Sequence, residues 1–261
     1  MTEQADRLVR YDHTDGVATL TLARPPANAL GEPIIAGLTL AIDRARSDGV
    51  GAVVVRSEVP GFFAAGADLT LFDGLEVSGF LDYLDRLREQ IERLGSGPWV
   101  SIAAIDGHAL GGGLELAMAC TMRVASTAAG LGVPEVKLGL LPGAAGTQRL
   151  PRLIGRGPAI DLLVTGRSVG GTEAHRLGLV DRLTEPGEVD RVAGELAASL
   201  ASGPREAHAA ILRCVDAASE RGLEGGMVIE RDEVAGLFAT PDGREGVAAF
   251  LEKRRPSFGG A

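Results

Sequence analysis

Three consecutive glycines, Gly111-Gly112-Gly113, separate a strand-like apolar run, Val100 to Ile105, from a helical stretch that reaches about Cys120. Bare backbone at the mouth of a helix lets amides approach a ligand closely, and the positive helix end reinforces them. Glu115, just inside that helix, sets a carboxylate beside whatever the amides hold, and Glu135 supplies a second one further along the chain. The combination suits proton transfer next to a carbonyl that must carry negative charge. The same residues have plainer readings. Glycine clusters mark turns, this chain has 37 glycines, and a first-turn glutamate balances a helix dipole. Glu135, after Pro134, is equally readable as a solvated loop carboxylate paired with Lys137.

Around this junction the chain alternates strand and helix patterns. Leu8 to Tyr11 and Val17 to Leu22 predict two strands joined through the turn-rich His13-Thr14-Asp15-Gly16. Arg24-Pro25-Pro26 excludes a helix interior. Ile35, Leu38, Ile42 and Ala45 recur at helical spacing, Val53-Val54-Val55 predicts a buried strand, and a glycine-containing loop runs from Pro60 to Asp68. Phe80, Leu84, Leu87, Ile91 and Leu94 form another helical face, and Met122 to Ala125 reads as a strand. From about Gly146 the pattern is mostly helical. The last helix opens at Thr240-Pro241, with Val247, Phe250 and Leu251 on one face. The expectation is a mixed α/β core over residues 1–200 and a C-terminal helical region over 201–261, with no linker rich enough to separate independent domains.

Composition narrows the function classes. A chain that is 45% hydrophobic and 23% charged has ample material for a core, and a net charge of −9 argues against a general nucleic-acid or anionic-membrane binder. The polar start MTEQADRLVR predicts no secretory signal, and no apolar run approaches the ~18 residues of a membrane span, so a soluble, cytoplasmic protein is expected. Cys120 and Cys214, far apart in apolar stretches, are predicted to be buried thiols. His13, His108, His175 and His208 lack metal-ligand spacing, so no metal is expected.

Several stretches together resemble the crotonase superfamily, the enoyl-CoA hydratases and isomerases. They are Arg24-Pro25-Pro26-Ala27-Asn28-Ala29-Leu30, Phe63-Ala64-Ala65-Gly66-Ala67-Asp68, and Gly107-His108-Ala109-Leu110-Gly111-Gly112-Gly113-Leu114-Glu115. Pro134-Glu135-Val136-Lys137-Leu138-Gly139, Pro142-Gly143-Ala144-Ala145-Gly146-Thr147-Gln148-Arg149-Leu150 and Ala249-Phe250-Leu251-Glu252-Lys253-Arg254 continue the match, in order, over nearly the whole chain. The resemblance implies an α/β spiral of strand-strand-helix units with C-terminal helices that pack on neighbouring subunits, in trimers or pairs of trimers. It implies an acyl-CoA thioester as substrate, with no cofactor beyond the coenzyme A that the substrate carries. It also implies two oxyanion-hole amides, from Ala65 and Gly112, and two catalytic carboxylates, Glu115 and Glu135. Ala27, Ala64, Gly66, Ala67, Asp68, Leu69, Gly111, Pro134 and Gly143 would line the substrate site, with Phe250 and Lys253 reaching coenzyme A from an adjacent subunit. Retention of both glutamates points to hydration of a trans-2-enoyl-CoA, the Δ3,Δ2-isomerase being the alternative.

The chain departs from the family pattern at Ala145, where many members have glycine, and at Leu69-Thr70, where Ile-Lys is common. The methyl of Ala145 is expected to narrow the loop before Gly146, and Thr70 to remove one contact to a coenzyme A phosphate. Two rival readings stand beside this one. Gly166-Arg167-Ser168-Val169-Gly170, followed in order by Asp190 and His208, matches the G-x-S-x-G elbow of serine hydrolases, though the preceding Ile160-Asp161-Leu162-Leu163 looks helical where a strand is required. A non-catalytic acyl-CoA-binding protein is the other.

Overall fold

The hairpin at the start of the chain turns on Asp15 and Gly16, both with positive φ (49° and 75°), as a tight two-residue turn between twisted strands requires. In the computed structural model, which describes residues 2–259, a short helix α1 (Thr2–Leu8) leads into this hairpin of β1 (Val9–Thr14) and β2 (Val17–Leu22). Helix α2 (Glu32–Ser47) follows. Three strand-strand-helix units come next. The first is β3 (Ala52–Ser57), β4 (Phe62–Ala64) and α3 (Val77–Gly95). The second is β5 (Val100–Ile105), β6 (His108–Leu110) and α4 (Gly112–Ala119). The third is β7 (Met122–Ser126), β8 (Gly130–Gly132) and, after a 3-10 turn at Pro134–Leu138, α5 (Gly146–Ile154). The remainder is α6 (Arg156–Thr165), β9 (Ser168–Gly170), α7 (Gly171–Leu177), β10 (Arg182–Thr184), α8 (Val189–Ala201), α9 (Arg205–Ala239) and α10 (Pro241–Glu252).

The first strand of each unit joins a six-stranded sheet, β1-β2-β3-β5-β7-β10, and the second joins a four-stranded sheet, β4-β6-β8-β9. Each unit therefore adds one strand to each sheet, which is the expected spiral. Within the large sheet β2, β3, β5, β7 and β10 run parallel. Parallel strands are covered on both faces and read as continuous apolar runs, as Val53-Val54-Val55 does. Val53 and Val55 face the cluster built with Leu38 and Ile42 of α2, whereas Val54 faces α8 through Val189, Ala193 and Ala197.

The three-residue strands β4, β6, β8 and β9 were not legible as strands in the sequence, being too short for a period to show. The two hydrophobic clusters contain no residue after Ala201. Beyond it α9 breaks at Gly222 (φ 70°, ψ 177°), and α10 starts as expected, with the Thr240 side chain accepting from the Gly243 N–H. Cys120 is buried, but Cys214, on the exposed α9, is only half-buried, so the expectation of two buried thiols holds for one. Among the described residues no helix is long and apolar enough to cross a membrane.

Candidate active site

The junction between β6 and α4 is where the three glycines act, each for a different reason. Gly111 sits at φ 52°, and a Cβ there would lie 2.7 Å from Glu135 Oε1. A Cβ on Gly113 would lie 2.2 Å from the Ala64 carbonyl oxygen, so glycine lets α4 rest directly on the end of β4. Gly112 opens the helix, and the N–H groups of a first helical turn have no acceptor within the helix. All eight residues of α4 are buried, so this helix end points into protein rather than into solvent.

A second amide meets it. The nitrogen of Ala67 lies 3.8 Å from where a Cβ on Gly112 would stand, and Gly112 N lies 3.4 Å from the corresponding point on Gly66. Gly66 itself is at φ 95°, a turn of the chain that sets Ala67 beside Gly112, and both residues line the cleft. The pair is thus Gly112 with Ala67, and the expectation for Ala65 is corrected: its N–H donates to the Ala27 carbonyl at 2.9 Å. That bond belongs to a clamp between residues 24–31 and 63–68. Leu30 N–H donates to Gly66 O (2.7 Å), Asn28 Nδ2 to Phe63 O (2.9 Å), and Arg24 bridges Asp68 (2.5 Å) and Ala29 O (2.6 Å). Ala27, Ala64 and Asp68 belong to this supporting layer rather than to the cleft wall, contrary to expectation. Asp68 also caps the turn at Leu69–Leu71 by accepting from Thr70.

The carboxylates differ in their surroundings. Glu115 Oε1 accepts the N–H groups of Ala144 and Gly146, both at 2.7 Å. Burial nevertheless pushes its pKa up to about 7, with the charge of Glu135 adding to the rise and the two amides opposing it. Glu135 is raised as well, chiefly by burial, and its Oε2 is buried with no hydrogen-bond partner in the protein. No ion pair with Lys137 forms; the lysine stem lies against Gly166 instead, its Cε 3.1 Å from where a Cβ would stand. A charged group left unpartnered at the wall of a cleft is costly for folding and is the arrangement expected of a group kept for chemistry.

The two amides of Ala144 and Gly146 can share one oxygen because Ala145 between them is left-handed (φ 74°, ψ 15°). Ala145 is not among the residues that line the cleft, and its departure from glycine acts on the backbone. Ala145→Gly should therefore stabilise the fold modestly, by up to about 1 kcal/mol, since relief of left-handed strain of about 1–2 kcal/mol is partly offset by the freer unfolded chain. Chemical denaturation measures this, and a loss of stability would show that the turn is unstrained.

Around these groups lies a partly open cleft of about 150 Å³. Of the expected substrate residues it is lined by Gly66, Ala67, Leu69, Gly111, Pro134 and Gly143, together with Glu115, Glu135, Gly112 and Ala65. Phe250 and Lys253 lie outside it on α10, where Phe250 is 83% exposed. Phe72, Phe80, Tyr83, Leu84 and Leu87, from α3 and the turn before it, complete one wall, with Leu138, Leu140 and Leu141 at another. The sequence reading gave the segment Leu71 to Phe80 as shaping the acyl pocket, and marked Leu84 and Leu87 only as a helical face; the wide apolar stripe of that face was the signal, and it serves core and cleft together. Tyr83 is held by a 2.7 Å bond from its hydroxyl to Leu30 O.

The hydrolase triad is not assembled. Ser168 lies on β9, a strand paired antiparallel with β8, Asp190 pairs with Arg56, and the His208 ring packs on Gly203.

Comparison with known proteins places the chain among relatives of known description. Residues 12–261 match the family model described as enoyl-CoA hydratase/isomerase. A probable enoyl-CoA hydratase of Bacillus subtilis (strain 168) is 42% identical over 247 residues, covering 94% of this chain and 95% of the relative. The mitochondrial methylglutaconyl-CoA hydratase of Mus musculus is 39% identical, over 89% of this chain and 76% of that protein. Among solved structures, an enoyl-CoA hydratase from Bacillus anthracis superposes with a TM-score of 0.93 at 33% identity, covering 97% of this chain and all (100%) of the other.

Proposed function

Since the chain belongs to the enoyl-CoA hydratase/isomerase family, we propose that it adds water across the double bond of a trans-2-enoyl-CoA thioester. One observation carries the reading: two carboxylates with raised pKa values, Glu115 buried and Glu135 half-buried, line one cleft with Gly112 and Ala67, whose amides lie close to each other. Attack at the β carbon moves electron density onto the thioester oxygen. Two preorganised N–H donors stabilise that charge without reorganising, and loss of one such donor elsewhere costs about 3–4 kcal/mol. Water loses a proton to Glu115 as its oxygen bonds to the β carbon, the double bond becomes single, and Glu135 delivers a proton to the α carbon. No electrons are transferred, so the reaction needs no cofactor beyond the coenzyme A of the substrate.

The test is a panel of 2-enoyl- and 3-enoyl-CoA thioesters with products identified by mass. Hydrated products from the 2-enoyl compounds alone are expected. Interconversion of 3-enoyl and 2-enoyl forms without a gain of water would replace the reading with isomerisation, and no turnover of any thioester would leave only binding. Glu135→Gln should cut turnover by at least about 100-fold while leaving thioester affinity nearly unchanged. Wild-type turnover in that variant would remove Glu135 from the reaction.

The C-terminal region is read as the subunit contact. Phe238, Val247, Phe250 and Leu251 are all exposed on α9 and α10 in the single chain, an apolar surface of the kind that other subunits cover. A trimer or pair of trimers is expected in analytical ultracentrifugation, with Phe250 and Lys253 serving the coenzyme A of a neighbour. Lys253→Ala should weaken thioester binding about tenfold through loss of one charge-assisted contact; unchanged affinity would place that lysine outside the site.

A further inference from the structure

Besides its two glutamates, the cleft is walled by uncharged groups, among them Leu69, Phe72, Phe80, Leu84, Leu140 and Leu141. Among the described residues no lysine, arginine or histidine lines it. The basic residues on the elements that form its walls are engaged elsewhere. Arg86 of α3 bonds to Glu32, and Arg88 donates to the carbonyl of Gly143. Arg149 of α5 bridges Glu92 and Ala144 O, Arg24 is held by Asp68, and Lys137 lies over Gly166. The one hydroxyl on the α3 wall, that of Tyr83, already donates to Leu30 O. The aromatic end is packed edge to face, Phe72 against Phe80 at 5.2 Å and against Tyr83 at 5.4 Å between ring centres, so no polar group turns inward there.

An acyl tail in this cleft meets leucine and aromatic side chains and two acidic groups. A methyl or methylene tail gains from burial there. A terminal carboxylate loses its water, finds no donor or counter-ion on the lining residues, and is repelled by ionised Glu115. We propose that this cleft selects trans-2-enoyl thioesters with an uncharged, apolar acyl tail and turns away those whose tail ends in a second carboxylate. The inference rests on the hydratase reading for its reaction and on the cleft wall for its selectivity, and the two are separable by experiment.

The test compares trans-2-pentenoyl-CoA with glutaconyl-CoA, in which a carboxylate replaces the terminal methyl, and with the methyl ester of glutaconyl-CoA, which is larger but neutral. The expected kcat/KM for glutaconyl-CoA is lower than that for pentenoyl-CoA by about 100-fold or more, a penalty for an unpaired charge in an apolar pocket. The ester is expected to recover most of the loss, which separates charge from size. Equal rates for the acid and pentenoyl-CoA, or an ester as poor as the acid, would overturn the proposal and leave hydration standing. Calorimetric binding of the saturated pentanoyl- and glutaryl-CoA reads the same selectivity without any reaction. Weaker glutaryl-CoA binding is expected even if hydration itself fails, and equal affinities would overturn the proposal whatever the chemistry.

Discussion

Glu115→Gln is expected to remove nearly all turnover and, at pH 8, to make the protein more stable. The carboxamide oxygen can still accept the Ala144 and Gly146 N–H groups that hold Oε1 at 2.7 Å, so the side chain keeps its place. It can no longer take a proton from water, and loss of a general base of this kind costs about 10²–10⁴ in rate. The stability gain follows from the pKa. Burial lifts Glu115 from its ordinary 4.5 to about 7, so between those values the folded chain binds more protons than the unfolded chain. Stability must then fall as pH rises through this window, and above it the native state bears the full cost of an ionised buried acid. That cost is of the order of 2–3 kcal/mol, and glutamine avoids it. Denaturant unfolding at pH 5 and pH 8 measures the difference: the advantage of the variant should grow toward pH 8. A constant gap would mean that Glu115 titrates as an ordinary surface acid. In the wild type, the same group should give kcat/KM an acidic limb near pH 7, as an apparent value belonging to the coupled pair.

The second large effect is structural. Gly113→Ala inserts a methyl whose carbon would lie 2.2 Å from Ala64 O and 2.7 Å from its carbonyl carbon. Both obstacles are backbone at the end of β4, so no rotamer change relieves them. Helix α4 must move away from β4, carrying with it the Gly112 amide and Glu115. Overpacking in a well-packed core costs about 1–3 kcal/mol, and backbone against backbone lies at the upper end. The expected result is a protein destabilised by about 3 kcal/mol whose folded fraction has lost most of its activity, because a displacement of about 1 Å is enough to cost 100-fold. Gly157→Ala, at a position where an added Cβ meets nothing within 4 Å, is the matched control and should be silent. If Gly113→Ala kept full stability and turnover, the contact between α4 and β4 would not position the site.

Much of the fold was legible because long, strongly patterned elements carry their own signal. Val17 to Leu22 and Val100 to Ile105 are the observed bounds of β2 and β5, and Thr240-Pro241 marks the start of α10. The short helix α1 was not picked out, strand β4 fell within the segment read as a glycine-containing loop, and β6 and β9 were not picked out as strands. Three-residue strands are stabilised by their neighbours in the sheet rather than by intrinsic preference, so their own residues do not announce them.

The site divides in the same way. Residue identity alone decided that two carboxylates and a glycine-rich helix mouth would be present, because chemistry needs particular functional groups and a bare backbone needs glycine. The partner amide was decided by the folded chain: the Ala65 N–H donates to Ala27 O and the Leu30 N–H donates to Gly66 O, across nearly forty residues of sequence, which leaves Ala67 beside Gly112. The cleft wall from α3, the unpartnered oxygen of Glu135 and the raised pKa of Glu115 likewise exist only after distant segments pack together. A local run of residues specifies which groups are available. Their direction, burial and mutual distance are set by contacts that no local run contains.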